Sequence, residues 1–367
     1  MRILFVAVPL AGHLYPMAPL ASALRETGHE VLLAAGGDAI APPPAGHAVA
    51  DIAPGIDMKR IALRLALRHP ALARAELAGR AGTRAARLFF GAVNDRLAGP
   101  VLDLAERWKP DLVVHEPLAP VGGLVAARLG VAAVLHGNVL FDERALTEDV
   151  AGASREIGDL PPSGAVLTLT PASLVGPRAA QPLRPVPHGV GGEVPDWLAT
   201  PTTRPRILVT RSTVAGPPIG DPMPATLAAA ADVDAEFVMV RPPERLVRRR
   251  GLPANVRTVD WLPFAAALPY FAAVVHHGGA GTLLAALAAG VPQLVVPGAG
   301  DRRRHAELVA ARGAGLAVPA RKITADRLRR LATDPALGAA AAQVRDEIAA
   351  MPAPADVVPL LERLARR

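Results

Sequence analysis

The chain contains no cysteine. A disulfide framework, a thiolate metal site and a cysteine nucleophile are therefore excluded. Lysine is nearly missing: Lys59, Lys109 and Lys322 are the lysines among 40 basic residues. A net charge of +7 would otherwise suggest a nucleic-acid partner. With arginine carrying the charge, and Ala, Pro and Gly abundant, the balance instead reads as the amino-acid usage of a GC-rich genome. The runs Arg248-Arg249-Arg250 and Arg302-Arg303-Arg304 are short, and neither lies beside an aromatic stacking platform. No nucleic-acid partner is expected. Long apolar runs are missing as well. Ile3 to Val8 is too short for a signal-peptide core and stops at Pro9. Trp261 to Gly300 lacks Asp, Glu, Lys and Arg, but Pro263, Pro269, His276, His277 and Pro292 break it into buried strands and helices. No membrane span is expected, and the expected location is cytoplasmic. Finally, no G-x-G-x-x-G follows the first strand, where Pro9-Leu10-Ala11-Gly12-His13 stands. That excludes a plain nicotinamide-dinucleotide dehydrogenase.

What is present is a globular α/β chain of 367 residues, 51% hydrophobic and 20% charged, long enough for two domains. Ile3 to Val8 reads as a buried parallel strand, Pro9 to Tyr15 as a loop, Met17 to Thr27 as a helix ended by Gly28, and Glu30 to Ala35 as the next strand. Pro42 to Pro54 reads as a loop. Helical patterns return over Ile61 to Leu77 and Arg84 to Arg107. Leu112 to His115, Val131 to Leu135 and Ala165 to Leu169 read as strands, with a helix over Val121 to Leu129. Pro185 to Pro205 has the Pro and Gly content of a linker. A second series follows, with strands at Ile207 to Thr210, Glu236 to Val240, Val256 to Val259, Ala273 to Val275 and Gln293 to Val296. The pattern predicts two Rossmann-like domains, residues 1–194 and 195–350. Ligands of such folds lie at the carboxyl ends of the strands, so both halves are expected to face a central cleft.

The second series carries the chain's most informative stretch, Val274-Val275-His276-His277-Gly278-Gly279-Ala280-Gly281-Thr282. A strand, a glycine turn and a helix predicted from Thr282 to Ala289 make an anion site. Free N–H groups and the helix dipole converge there, and glycine lets a ligand approach the backbone. His277 can add a hydrogen bond, and a positive charge if protonated.

At this point the sequence resembles the inverting, metal-independent, family 1 glycosyltransferases of the GT-B fold, and most closely actinomycete enzymes that attach deoxysugars to polyketide and enediyne natural products. The resemblance covers nearly the whole chain. Its most specific part runs from Trp261-Leu262-Pro263 through the His276 to Thr282 turn, Ala288-Ala289-Gly290-Val291-Pro292-Gln293 and Pro297 to Asp301 and Gly313-Ala314-Gly315. Its second part is Gly12-His13-Leu14-Tyr15-Pro16. The resemblance implies that His277, Gly279, Ala280, Gly281 and Thr282 hold the diphosphate of a nucleotide sugar and that Thr213 touches phosphate. It implies that Trp261 and Leu262 flank the base and that Asp301 accepts hydrogen bonds from the sugar. His305 falls where the family often has Asn or His. Two residues depart from the pattern: Ser212 stands where Gly is usual, and Arg302 where Gln is common. Arg302 is either turned toward the diphosphate, a sign of an unusual sugar, or part of a solvated basic loop. The last segment, residues 351–367, is expected to be a helix that packs back on the first domain.

By the same resemblance His13 is the general base, with Glu116 as the carboxylate that orients it. Imidazole has a pKa near ~6.5, close to working pH. No paired carboxylates are needed, because the leaving diphosphate is already anionic. No Asp, Glu or Cys stands in either glycine loop as a covalent nucleophile, which disfavours retention. The expected donor is a dTDP-sugar. Ala285 occupies the place where relatives using UDP-sugars carry a Glu for the ribose hydroxyls. The expected acceptor is a hydroxyl of a hydrophobic aglycone, lined by segments of Pro42 to Phe90 and by Asn138 to Asp149. No metal and no cofactor are expected, and a homodimer is allowed. The alternatives are a UDP-sugar-dependent transferase acting on a lipid acceptor, an epimerase on the same fold, and a non-catalytic auxiliary protein.

Overall fold

The computed structural model describes residues 1–40, 43–44, 46–187, 192–212, 220–250 and 252–366. The chain divides into two compact units. Met1–Glu76, Ala81–His188 and Ala350–Arg367 form one, and Leu77–Arg80 with Gly189–Ala349 form the other. Among the described residues no helix is long and apolar enough to cross a membrane.

The first unit is built on a parallel sheet of seven strands: β1 (Arg2–Val6), β2 (Glu30–Ala35), β3 (Val49–Asp51), β4 (Leu112–His115), β5 (Ala132–His136), β6 (Ala165–Thr168) and β7 (Gln181–Pro182), in the order β3-β2-β1-β4-β5-β6-β7. β1 and β4 are central and buried on both faces, which is why they are continuous apolar runs. Strand order reverses beside β1, between β2 on one side and β4 on the other. Such a switch point is where α/β sheets open a crevice for ligands at the carboxyl ends of the strands. The helix Pro354–Ala365 packs on the helix Ala18–Glu26, and His29 Nε2 lies 3.0 Å from Glu362 Oε1.

The second unit repeats the plan with β8 (Arg206–Val209), β9 (Glu236–Val240), β10 (Val256–Val259), β11 (Ala273–His276), β12 (Gln293–Val295) and β13 (Gly315–Ala317), in the order β10-β9-β8-β11-β12-β13, again all parallel. Its switch point falls between β8 and β11. The loop after β11 is the glycine turn.

Several elements differ from the sequence reading. Pro9 to Tyr15 is not all loop: Ala11–Leu14 is one α-helical turn, begun where Asp38 Oδ1 accepts from the Ala11 N–H at 2.8 Å. The Pro42 to Pro54 loop contains β3, and the edge strand β7 and β13 were not expected. Ile61 to Leu77 is two helices, Met58–Arg68 and Pro70–Leu77, because Pro70 cannot donate to the preceding turn. Helices Glu143–Ala151 and Glu244–Arg250 were not expected either. The helix after the glycine turn is Ala280–Ala288, so Gly281 and Thr282 belong to its first turn and Gly279 is its N-cap.

Candidate functional site

His13 and Glu116 meet at the switch point of the first sheet. His13 stands on the Ala11–Leu14 turn after β1; Glu116 directly follows β4. Glu116 is fully buried and anchored by two backbone donors. The Val8 N–H reaches Oε1 at 3.3 Å and the Leu118 N–H reaches Oε2 at 2.9 Å. The same Oε2 lies 3.2 Å from His13 Nδ1. A carboxylate only accepts, so Nδ1 is the protonated nitrogen and the ring lone pair sits on Nε2. Asn94, buried in the helix Arg84–Trp108, fixes this corner. Its Nδ2 donates to Phe90 O and Leu118 O, both at 2.8 Å, and its Oδ1 accepts from the Val121 N–H at 3.1 Å. Phe90 stands beside the base, ring centroids 6.2 Å apart, and Phe89 meets Phe90 edge-on at 4.9 Å.

The second sheet carries the glycine turn. Gly278 has φ +88°, a conformation glycine takes without a Cβ penalty. Two buried histidines hold its peptide groups. The Gly278 N–H donates to His276 Nδ1 at 3.1 Å, and His305 Nδ1 donates to the Gly278 carbonyl at 2.7 Å. His276 Nε2 then donates to Gln293 Oε1 at 2.8 Å, and Gln293 Nε2 to Leu283 O at 3.2 Å. Burial holds His276 down at a pKa of about 4, which suits a ring that must accept at Nδ1. A Cβ on Gly279 would lie 2.6 Å from His277 Nε2, so the His277 ring sits where it does because this residue is glycine. Among the described residues no side chain caps the Ala280–Ala288 helix, which leaves its first amides open to a ligand, and nothing lies within 4 Å of a Cβ built on Gly281. An anion can therefore be met there by backbone N–H groups and the helix dipole.

The charge expected of His277 is absent. Burial first, then the neighbouring His276, Arg302 and His305, lower its pKa to about 3, so the ring is neutral at ordinary pH. Its Nδ1 is buried without a hydrogen-bond partner among the described residues. The cation at the turn is Arg302, in the first turn of the helix Arg302–Arg312. Its guanidinium reaches Ser212 Oγ at 3.4 Å, and a Cβ on Gly298 would meet its Cδ at 3.2 Å. The basic run is therefore not simply solvated: Arg303 Nε also donates to Ala78 O at 3.0 Å. Asp301 caps nothing, and its Oδ2 lies 3.5 Å from the Nε2 of the buried His305. Trp261 is 49% exposed, which rules out a core role, whereas the Leu262 side chain is buried in the core and offers a ligand only its backbone. Thr213 lies outside the described residues. Ala285 is buried and carries no acceptor.

Sequence reasoning missed Asn94 and assigned no individual role to His276 and Gln293, which it read only as parts of the motif, or to Asn138, a neighbour of His13 that it read only as the start of an acceptor-lining segment.

Comparison with known proteins bears on the whole chain. Residues 22–212 match the erythromycin biosynthesis protein CIII-like N-terminal domain, and residues 224–364 the corresponding C-terminal domain. The chain is 38% identical over 378 residues to the elloramycin glycosyltransferase ElmGT of Streptomyces olivaceus, covering 97% of this chain and 96% of that protein. Among solved structures, the glycosyltransferase SnogD of Streptomyces nogalater superposes with a TM-score of 0.85 at 34% identity, covering 100% of this chain and 99% of that one. The Streptomyces sp. SF2575 glycosyltransferase SsfS6, complexed with thymidine diphosphate, superposes with a TM-score of 0.82 at 30% identity, covering 99% of each chain.

Proposed function

The chain belongs to the erythromycin biosynthesis protein CIII-like family of glycosyltransferases with the GT-B fold, and from that premise we propose an inverting transfer of a deoxysugar from a dTDP-sugar to a hydroxyl of a hydrophobic aglycone. The observation that carries the reading is the contact between His13 Nδ1 and the buried carboxylate of Glu116 at 3.2 Å. It makes Nε2 the base. The acceptor hydroxyl gives its proton to Nε2 as its oxygen attacks the anomeric carbon. The bond from that carbon to the diphosphate oxygen breaks, its electron pair leaves with the diphosphate, and one displacement inverts the configuration. Glu116 stabilises the imidazolium, as carboxylates do in other His-carboxylate pairs.

The leaving group is held by the Gly279, Ala280, Gly281 and Thr282 backbone and by Arg302, with His277 contributing hydrogen bonds as a neutral ring. Thr213 keeps its proposed phosphate contact, and Trp261 has the exposure that stacking on a nucleobase needs. Asp301 is proposed to meet the sugar, with the buried His305 behind it, holding the turn through the Gly278 carbonyl. Phe89 and Phe90, half-buried beside His13, suit an apolar acceptor. Ala285 favours a 2′-deoxyribose, because a lost hydrogen bond to a charged group is worth about 1.5–3 kcal/mol. Calorimetry checks the donor: dTDP should bind more tightly than UDP, and equal affinities would refute the preference.

One observation favours a second reading, a lipid-linked acceptor. The helix Met58–Arg68 exposes Leu63 (60%) and Leu67 (74%), one turn apart, with Lys59, Arg60 and Arg64 alongside. The sequence alone does not single out this face. Cationic flanks around exposed leucines suit a membrane surface. Transfer of radiolabelled sugar into extracted membrane lipid, with none into water-soluble aglycones, would establish that acceptor instead.

A further inference from the structure

We propose that Asn138 is a positioning residue for His13, holding the base on its turn and limiting its basicity; the inference rests on the reading of His13 as the base. Asn138 follows β5 and is 5% exposed. Its Nδ2 donates to the His13 carbonyl at 3.1 Å and lies 3.4 Å from His13 Nδ1. A carbonyl only accepts, so the amide orientation is fixed: the nitrogen faces His13 and Oδ1 faces away.

The contact matters because His13 lies in the first turn of a helical run, Ala11–Leu14 continuing through Tyr15–Met17 into Ala18–Glu26, and the first turn of a helix lacks intrahelical partners for its N–H groups. Asp38 fixes the start of that turn through the Ala11 N–H, and Asn138 fixes the His13 backbone. Asn138 is itself mounted on a tied corner. The Gly137 N–H donates to Leu167 O at 2.7 Å. A Cβ on Gly137 would meet Glu143 Oε1 at 2.6 Å, and that carboxylate is held by Arg178 at 2.6 Å and Thr168 at 2.7 Å. The Glu116 carboxylate faces the ring and favours the imidazolium. The Asn138 amide presents the positive end of its dipole to the same nitrogen and opposes it. Its Oδ1 is buried without a partner among the described residues.

The test is the titration midpoint of the His13 ring, followed by NMR in ligand-free protein and assigned by its loss in His13→Gln. Asn138→Asp places a second carboxylate against the ring and should raise the midpoint by about one pH unit or more. Asn138→Ala removes the opposing dipole and should raise it by less. In both variants calorimetry should find dTDP affinity within about twofold of wild type, since Asn138 belongs to the unit that does not carry the groups assigned to the donor. In turnover, Asn138→Ala should lower kcat by roughly 10- to 100-fold, the cost of a misplaced catalytic group, with the donor KM unchanged. A midpoint that stays at the wild-type value in both folded variants overturns the proposal. The titration does not depend on turnover. If the midpoint moves while His13→Ala still transfers sugar, the base assignment fails and the contact with Asn138 remains.

Discussion

Arg302 brings positive charge to the glycine turn. Burial keeps His277 neutral, so a dianionic diphosphate finds its cation in Arg302. Arg302→Ala should weaken dTDP binding by roughly 10- to 100-fold, the scale of a charge-assisted hydrogen bond of about 1.5–3 kcal/mol. Arg302→Gln, which installs the side chain common at this position in the resembled family, should recover part of the loss by hydrogen bonding and reduce the salt dependence. Calorimetry at two ionic strengths checks both, and unchanged affinity in Arg302→Ala would remove the residue from the site. On the acceptor side, Glu116→Gln keeps the shape and removes the charge. Because Glu116 acts through His13, dTDP affinity should hold while transfer slows. The acidic limb of the pH–rate profile should move to lower pH, since the imidazolium loses its counter-charge. A rate unchanged at all pH values would mean that another carboxylate orients the base.

The turn before Ala280–Ala288 works as a unit. His276 and His305 pin the Gly278 peptides, Gln293 holds His276, and the amides of the following residues are left for a ligand. Gly279→Ala should push the His277 ring away, since a Cβ there would lie 2.6 Å from Nε2, and dTDP affinity should drop at least tenfold by calorimetry. A variant that folds and binds dTDP normally would show that the ring position is not part of the site. The same element marks how far the sequence could be read. The central strands were legible because buried parallel strands are apolar throughout; Glu116 and the glycine turn follow strands directly, whereas His13 stands on a helical turn after β1 that read as loop. The edge strands β3, β7 and β13 were not, because two or three residues become a strand only when a partner is beside them. Gly315 enters β13 because its missing Cβ lets it sit against Gln293 O. Gly281 looked like turn and is helix, since a first-turn glycine costs little once Gly279 has set the N-cap. Asn94, Asn138 and the Arg302–Ser212 pair join positions far apart in the chain, which no local pattern reports.

Among the described residues, four histidines are held well below their usual pKa by burial: His115, His136 and His276 at about 4 and His277 at about 3. In the unfolded chain each takes up a proton near pH ~6.5. Below that pH the unfolded state binds more protons than the folded one, so stability falls with acidification until the folded-state values are reached. The loss should begin near pH 6.5 and continue to about pH 4 for three of them and about pH 3 for His277, each contributing on the order of a few kcal/mol. Thermal melts across this range should show Tm falling steadily, and His136→Phe should flatten the slope. A Tm independent of pH between 6.5 and 4 would contradict the assignment of neutral buried rings.

The most direct test of the central claim compares transfer and nucleotide binding in His13→Ala. His13 belongs to the unit that does not carry the groups assigned to the nucleotide, so dTDP affinity should stay within about a factor of two of wild type. Turnover with a donor and acceptor that the wild type accepts should fall by roughly 10²–10⁴, the usual worth of a general base. A variant that keeps full turnover would contradict the account, as would a wild-type product that retains the anomeric configuration of the donor.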